Sequence, residues 1–126
     1  MLIVSGLFCQ VDYATQIQPI FNNNCISCHA NGGAYAGFLD LSSYSEIMEG
    51  GSSGNAVLPL NHSNSLLYNR ITLPASSQQF MPKLGSALSQ ADIDLIAQWV
   101  DEGALEIPTD VDCYAADSTE GVEIWG

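Results

Sequence analysis

The stretch Cys25-Ile26-Ser27-Cys28-His29 constrains this chain more than any other feature. It gathers three chemically active side chains within five positions of a sequence that has only four cysteines and two histidines. C-x-x-C-H is the attachment pattern of c-type haem. Two thiols three residues apart can reach the vinyl groups along one edge of a porphyrin as thioethers, and the adjacent histidine is carried under the ring to bind iron. Two other chemistries use the same residue types. A redox C-x-x-C of the thioredoxin kind calls for a surrounding βαβ pattern, which this chain lacks. A structural zinc site calls for four protein ligands, and the remaining cysteines, Cys9 and Cys113, are distant in sequence.

Around the motif the chain reads as short helices joined by long glycine-rich loops. Such an arrangement makes a poor core unless a large apolar object gives the loops something to pack against. Asp12 is a candidate N-cap for a helix over Tyr13 to Asn23, which Pro19 is expected to kink or confine to one side. A loop with glycines at 32, 33 and 37 follows. A second helix is expected over Ser42 to Met48, capped by Ser42 or Ser43 and ended by Gly50-Gly51. A third spans Ser65 to Ile71, with Ser63 or Asn64 as cap. From Thr72 to Ala87 no period is visible, and a loop of that length in a compact domain is usually functional. The last helix is the clearest: Ser89 and Asp92 resemble a capping box, Ile93, Ile96, Ala97 and Val100 repeat at the helical period, Leu95 and Trp99 widen that face, and Gly103 stands at C′.

A six-coordinate iron needs a second axial ligand. Met81 is the favoured one, because it lies in the long loop with Pro82 to fix its backbone. Met48 sits at a helix end, where packing is the simpler role, and Met1 is the remaining methionine. His62 is the rival and would make the iron bis-histidine.

The composition bounds the class. The 126 residues suit one domain, and 47% hydrophobic with 13% charged residues excludes intrinsic disorder. Fourteen acids stand against Arg70 and Lys83 alone, a net charge of −12, and eight of them lie between Asp101 and Glu123. Such a surface repels nucleic acid and anionic membranes and favours basic protein partners. No stretch approaches the ~20 apolar residues of a membrane span. The start, MLIVSGLFC, reads as an export-signal remnant, a lipoprotein-like segment ending in Cys9, or a packed arm.

From Tyr13 to Ala104 the chain resembles the bacterial monohaem cytochrome c domains, most closely the planctomycete-type subgroup. The resemblance rests on IQPIFNNNCISCH, GFLDLSSYSEIMEGG, AVLPLNHSNSLLYNRI and FMPKLGSALSQADIDLIAQWVDEGA. It implies an all-α cytochrome c fold, three to five short helices with long loops wrapped around one covalent haem c, the first and last helices packing across each other. Cys25 and Cys28 would then hold the porphyrin, with His29 the proximal and Met81 the distal ligand. Phe21 and Trp99 become candidates for the helix contact or the haem wall. The domain would span 13–104, after an arm or signal remnant (1–12) and before an acidic tail (105–126). The implied role is an electron carrier rather than an enzyme, working with redox protein partners alone or as a subunit of a larger complex. The implied compartment is the periplasm or another extracytoplasmic space. There disulfides persist, so a Cys9–Cys113 bridge is expected, with a lipid anchor on Cys9 or two buried thiols as alternatives. The competing class is a haem peroxidase or gas-binding sensor with a labile sixth ligand. The chain departs from the family where Lys83 replaces a common second proline, which adds a positive charge near the haem edge. It departs again where the LPLNHS loop lacks a glycine, leaving His62 unexplained.

Overall fold

The structure is a computed structural model and describes residues 10–34, 36–83 and 85–109. Among these residues there are four α-helices and no strand: α1 (Gln18–Asn24), α2 (Tyr44–Glu49), α3 (Leu66–Ile71) and α4 (Gln90–Asp101). The chain is mostly helix and loop, as an all-α cytochrome c-like fold requires.

Pro19 does not interrupt the first helix. Tyr13–Ile17 is wound as a π-helical turn that runs directly into α1, and Pro19 falls in the first turn of α1. A proline is tolerated there, and the wider winding before it eases the ring past the carbonyl four residues back. Asp12 caps this segment by accepting from the Thr15 amide at 3.0 Å.

Of the two expected caps with alternatives, that of α2 is narrowed to one residue and that of α3 is corrected. Ser43 alone caps α2, accepting from the Glu46 amide at 3.4 Å, because the Ser42 hydroxyl is committed to the Asp40 carboxylate. Neither Ser63 nor Asn64 caps α3. Both belong to a 3-10 turn, His62–Asn64, in which Asn61 accepts from the Asn64 amide. Ser65 precedes α3 but is fully buried, and its hydroxyl accepts from the Leu58 amide at 2.8 Å. A buried amide must be satisfied, and that need outranks a cap.

α4 is the chief packing element. Ser89 accepts from the Asp92 amide, and Ile93, Ile96, Trp99 and Val100 are buried along one face. Its end is a Schellman motif: the Gly103 amide returns to the Val100 carbonyl and the Ala104 amide to that of Trp99, with Gly103 at φ +113°. The π-helical turn and α3 both pack on α4. The first and last helical segments thus meet, with Tyr13 against Trp99. The Tyr13 ring lies 5.5 Å from Trp99 and 5.3 Å from Tyr44, and the Tyr44 hydroxyl donates to the Ala104 carbonyl at 2.8 Å. Burial, followed by the nearby Glu106, raises the pKa of both phenols, so they stay neutral donors. No described helix is long and apolar enough to cross a membrane.

Candidate functional site

Where α1 ends, the chain coils into one more turn without extending the helix. The Cys25 and Ile26 amides both bond the Phe21 carbonyl, and the Cys28 and His29 amides both bond the Cys25 carbonyl. This turn presents Cys25, Cys28 and His29 together. The following loop then folds back over it, with the Leu41 amide donating to the His29 carbonyl at 2.7 Å.

The return of that loop decides the state of the histidine. His29 Nδ1 lies 2.9 Å from the Leu39 carbonyl oxygen. A carbonyl can only accept, so Nδ1 carries the proton and Nε2 keeps its lone pair for a metal. Gly33 makes the approach possible: at φ +63°, a Cβ on it would sit 2.3 Å from the Leu39 oxygen. Asp40 fastens the loop from the other side, its buried carboxylate accepting from the Gly32 amide (2.8 Å), the Ser42 amide (2.9 Å) and the Ser42 hydroxyl (2.5 Å). These bonds, the Ser42 hydroxyl first, hold its pKa below the usual carboxylate range.

The turn forms one wall of a cavity of about 750 Å³, within the roughly 300–1,000 Å³ range of cofactor and small-molecule sites. Opposite segments come from α3, through Leu67, Arg70 and Ile71, and from the loop that begins at Met81. The Met81 amide donates to the Arg70 carbonyl at 3.1 Å, and buried Phe80 anchors the loop just before it. Gly51 lets the remaining wall close, since a Cβ there would lie 2.6 Å from the Gly37 oxygen. Cys25, Cys28, His29 and Met81 therefore all line a single cavity.

The other residues singled out by sequence lie elsewhere. Met48 packs on the core, and neither Phe21 nor Trp99 lines the cavity. His62 is turned to α4, where Nδ1 meets the Asp101 carboxylate at 2.7 Å, its own amide bonds the same carboxylate at 3.0 Å, and its ring stands edge-on to Tyr68. Met1, Cys9 and Cys113 fall outside the described residues.

Cys25 and Cys28 are free thiols, and burial followed by the proximity of Cys28 pushes Cys25 up to about 11. A thioredoxin-type nucleophile requires the opposite shift. Among the described residues no three His, Cys, Asp or Glu side chains converge to hold a metal ion, so the zinc reading has no ligand set there. Sequence reasoning missed Asp40 and the Leu39 carbonyl. The D-x-S pattern at Asp40 was a legible turn signal, whereas a backbone carbonyl leaves no trace in residue identity.

A free imidazole Nε2, two unbonded thiols and a thioether around one largely apolar cavity are a donor set that fits haem c. Together with a fold that is helical and has no strand among the described residues, they are consistent with a c-type cytochrome. A family model described as Planctomycete cytochrome C matches residues 25–85, from the first motif cysteine to just beyond Met81. Over those residues the chain is similar to the planctomycete-type cytochrome c domain, a family of electron-transfer haem proteins. No curated protein and no solved structure matches the chain.

Proposed function

We propose that the chain is a monohaem c-type cytochrome that passes single electrons by outer-sphere transfer, with Cys25 and Cys28 holding the porphyrin and His29 and Met81 as axial ligands. The observation that carries this reading is the convergence of those four side chains, from two segments far apart in sequence, on one cavity. When bound there, haem c supplies a one-electron Fe(III)/Fe(II) couple. The chain's own residues do the rest. The Leu39 carbonyl orients His29 and fixes the tautomer in which Nε2 keeps its lone pair. The Arg70 carbonyl fixes the backbone at Met81, whose thioether favours the ferrous state relative to a second imidazole. Two protein ligands keep exogenous molecules off the iron, which limits the chemistry to electron passage.

The functional domain is taken as 13–104, since the last helix among the described residues ends in the Schellman turn at Ala104. The acidic surface favours a basic redox partner that docks transiently, and haem c attachment implies an extracytoplasmic compartment. A Cys9–Cys113 disulfide is supported by their neighbours, because the Thr109 amide bonds the Gln10 side chain at 2.7 Å. Non-reducing mass analysis, with and without alkylation, would report it as two protected cysteines. An alkylated Cys113 beside a lipidated Cys9 points to the anchor instead.

The decisive test is a denatured mass spectrum combined with reduced and oxidised visible spectra. One haem added to the polypeptide and a ferric band from methionine sulfur, absent in Met81→Ala, are expected. A bare polypeptide mass rejects the haem reading. A high-spin five-coordinate wild type replaces the carrier with the peroxidase or sensor class.

A further inference from the structure

The loop that fastens the cavity wall carries one chemically unstable linkage. Of the chain's eight asparagines only Asn31 is followed by glycine. Asparagine is thermolabile, and a following glycine, with no side chain to obstruct its nitrogen, is the neighbour that best allows attack on the carboxamide. Asn31 and Gly32 are both exposed, and the Asn31 carboxamide makes no hydrogen bond with the described residues. Yet the fold obstructs the reaction in two ways. Asn31 at φ +53° and Gly32 at φ +84° have the conformation of a type I′ turn, closed by the Gly33 amide on the Ala30 carbonyl at 2.9 Å. The Gly32 nitrogen has a partner of its own, since its N–H is donated to the buried Asp40 carboxylate at 2.8 Å.

We propose that Asn31-Gly32 is a latent site of deamidation and isomerisation, which the turn and the Asp40 carboxylate hold closed while the loop stays folded. In the reaction the Gly32 amide gives its proton to hydroxide and its nitrogen attacks Asn31 Cγ. The N–Cγ bond forms, the Cγ–Nδ2 bond breaks, and Nδ2 leaves as ammonia, taking a proton from water. Water then adds to one imide carbonyl, and the ring opens to aspartate or isoaspartate. Nothing is oxidised or reduced; one water is consumed and one ammonia released. Asp40 obstructs the first step, because its hydrogen bond must break before the proton leaves and because an amide anion would form against a buried carboxylate. The turn obstructs the attack, since the nitrogen reaches Cγ only by rotation about the Cα–C bond of Asn31, which the Ala30–Gly33 bond opposes. Both products bear on the site. Each puts a new carboxylate near that of Asp40, and isoaspartate adds one carbon to the main chain between His29 and the Leu39 carbonyl that orients it. Conversion therefore loosens the fastening of the loop and does not reverse, so it marks chains whose wall has been open.

The test follows conversion at Asn31 by peptide mapping of the full chain as purified, incubated at mildly alkaline pH either folded or in guanidinium chloride. Folded wild type is expected to convert more slowly than the denatured chain by roughly tenfold or more, the worth of a hydrogen bond to a charged group. Asp40→Asn keeps a neutral acceptor and should lose part of that protection, and Asp40→Ala should lose more. Equal rates in folded and denatured wild type would overturn the proposal. So would slower conversion in the Asp40 variants, which would make the carboxylate the base that drives the reaction. Amide exchange is read in the same samples, because global loosening also speeds conversion. Protection at Ala104, whose amide bonds the Trp99 carbonyl at the end of α4, should stay at its wild-type level. If it falls in step with conversion, Asp40 supports the fold alone and its protecting role is lost. Exchange at Gly32 in wild type keeps the test alive should both variants fold poorly. Slow exchange is expected there, and exchange as fast as in the denatured chain would overturn the role of Asp40. None of these measurements depends on what fills the cavity, so failure here is separate from failure of the haem reading.

Discussion

Between the π-helical turn and α4 the molecule is filled by side chains: Tyr13, Tyr44 and Trp99 touch ring to ring, with Ile17, Ile96 and Val100 fully buried around them. The cavity wall from His29 to Gly54 is held by different means. Its shape comes from main-chain bonds such as Leu41 to His29 and Ser52 to Gly37, from the Asp40 carboxylate, and from glycines where another residue would collide. The seam carries its own packing energy, whereas the wall is a mould whose filling must come from elsewhere. That difference explains how so small a chain tolerates so much loop: stability and site construction are assigned to separate regions.

The comparison can be broken most forcefully at the seam. Trp99→Ala should cost about 3–5 kcal/mol in chemical denaturation, as for other fully buried aromatics. The cavity spectrum of the fraction that remains folded should be preserved. A loss under about 1 kcal/mol would mean that the haem side, not the seam, carries the stability.

In the wall, Gly33→Ala must either push the Leu39 carbonyl away from His29 or strain the backbone at φ +63°. A cost on the order of 2 kcal/mol is expected, together with a shifted midpoint potential as His29 loses the bond that orients it. A stability loss with an unchanged potential would show that the Leu39 bond does not tune the ligand.

Asp40 sharpens the comparison through pH. Its pKa is lowered in the folded state, so its contribution is fully present above the unfolded value of about 3.9 and is lost as pH falls below that value through the folded one. Melting temperature should decline along that acid limb in wild type and decline less steeply in Asp40→Asn, which has no carboxylate to protonate. Parallel limbs would remove Asp40 from the fastening of the loop.

The smallest effect belongs to His62. Its pair with Asp101 is solvent-exposed, and such pairs contribute about 0–1 kcal/mol, so His62→Ala should change stability by no more than that and leave the haem spectrum untouched. A spectral change would reopen it as an axial ligand.

Much of the site could be read residue by residue. C-x-x-C-H names its own chemistry, Met81 stands out by its proline neighbour, and α4 announces both of its ends through Ser89 and Gly103. What failed to show was whatever depends on a contact between distant segments. Ser65 looked like part of a helix start until the Leu58 amide claimed it, Pro19 looked like a break until the π winding accommodated it, and His62 was a rival ligand until Asp101 engaged it.

The sequence by itself determined which atoms can hold a porphyrin, because thiol, imidazole and thioether chemistry resides in side-chain identity and in spacing along a few residues. Only the tertiary structure decided which of the described methionines and histidines shares a cavity with the C-x-x-C-H turn, which nitrogen of His29 is free, and that Arg70 and Lys83, but no acid among the described residues, line that cavity. Those are matters of distance between segments remote in sequence, and packing, not local preference, sets such distances.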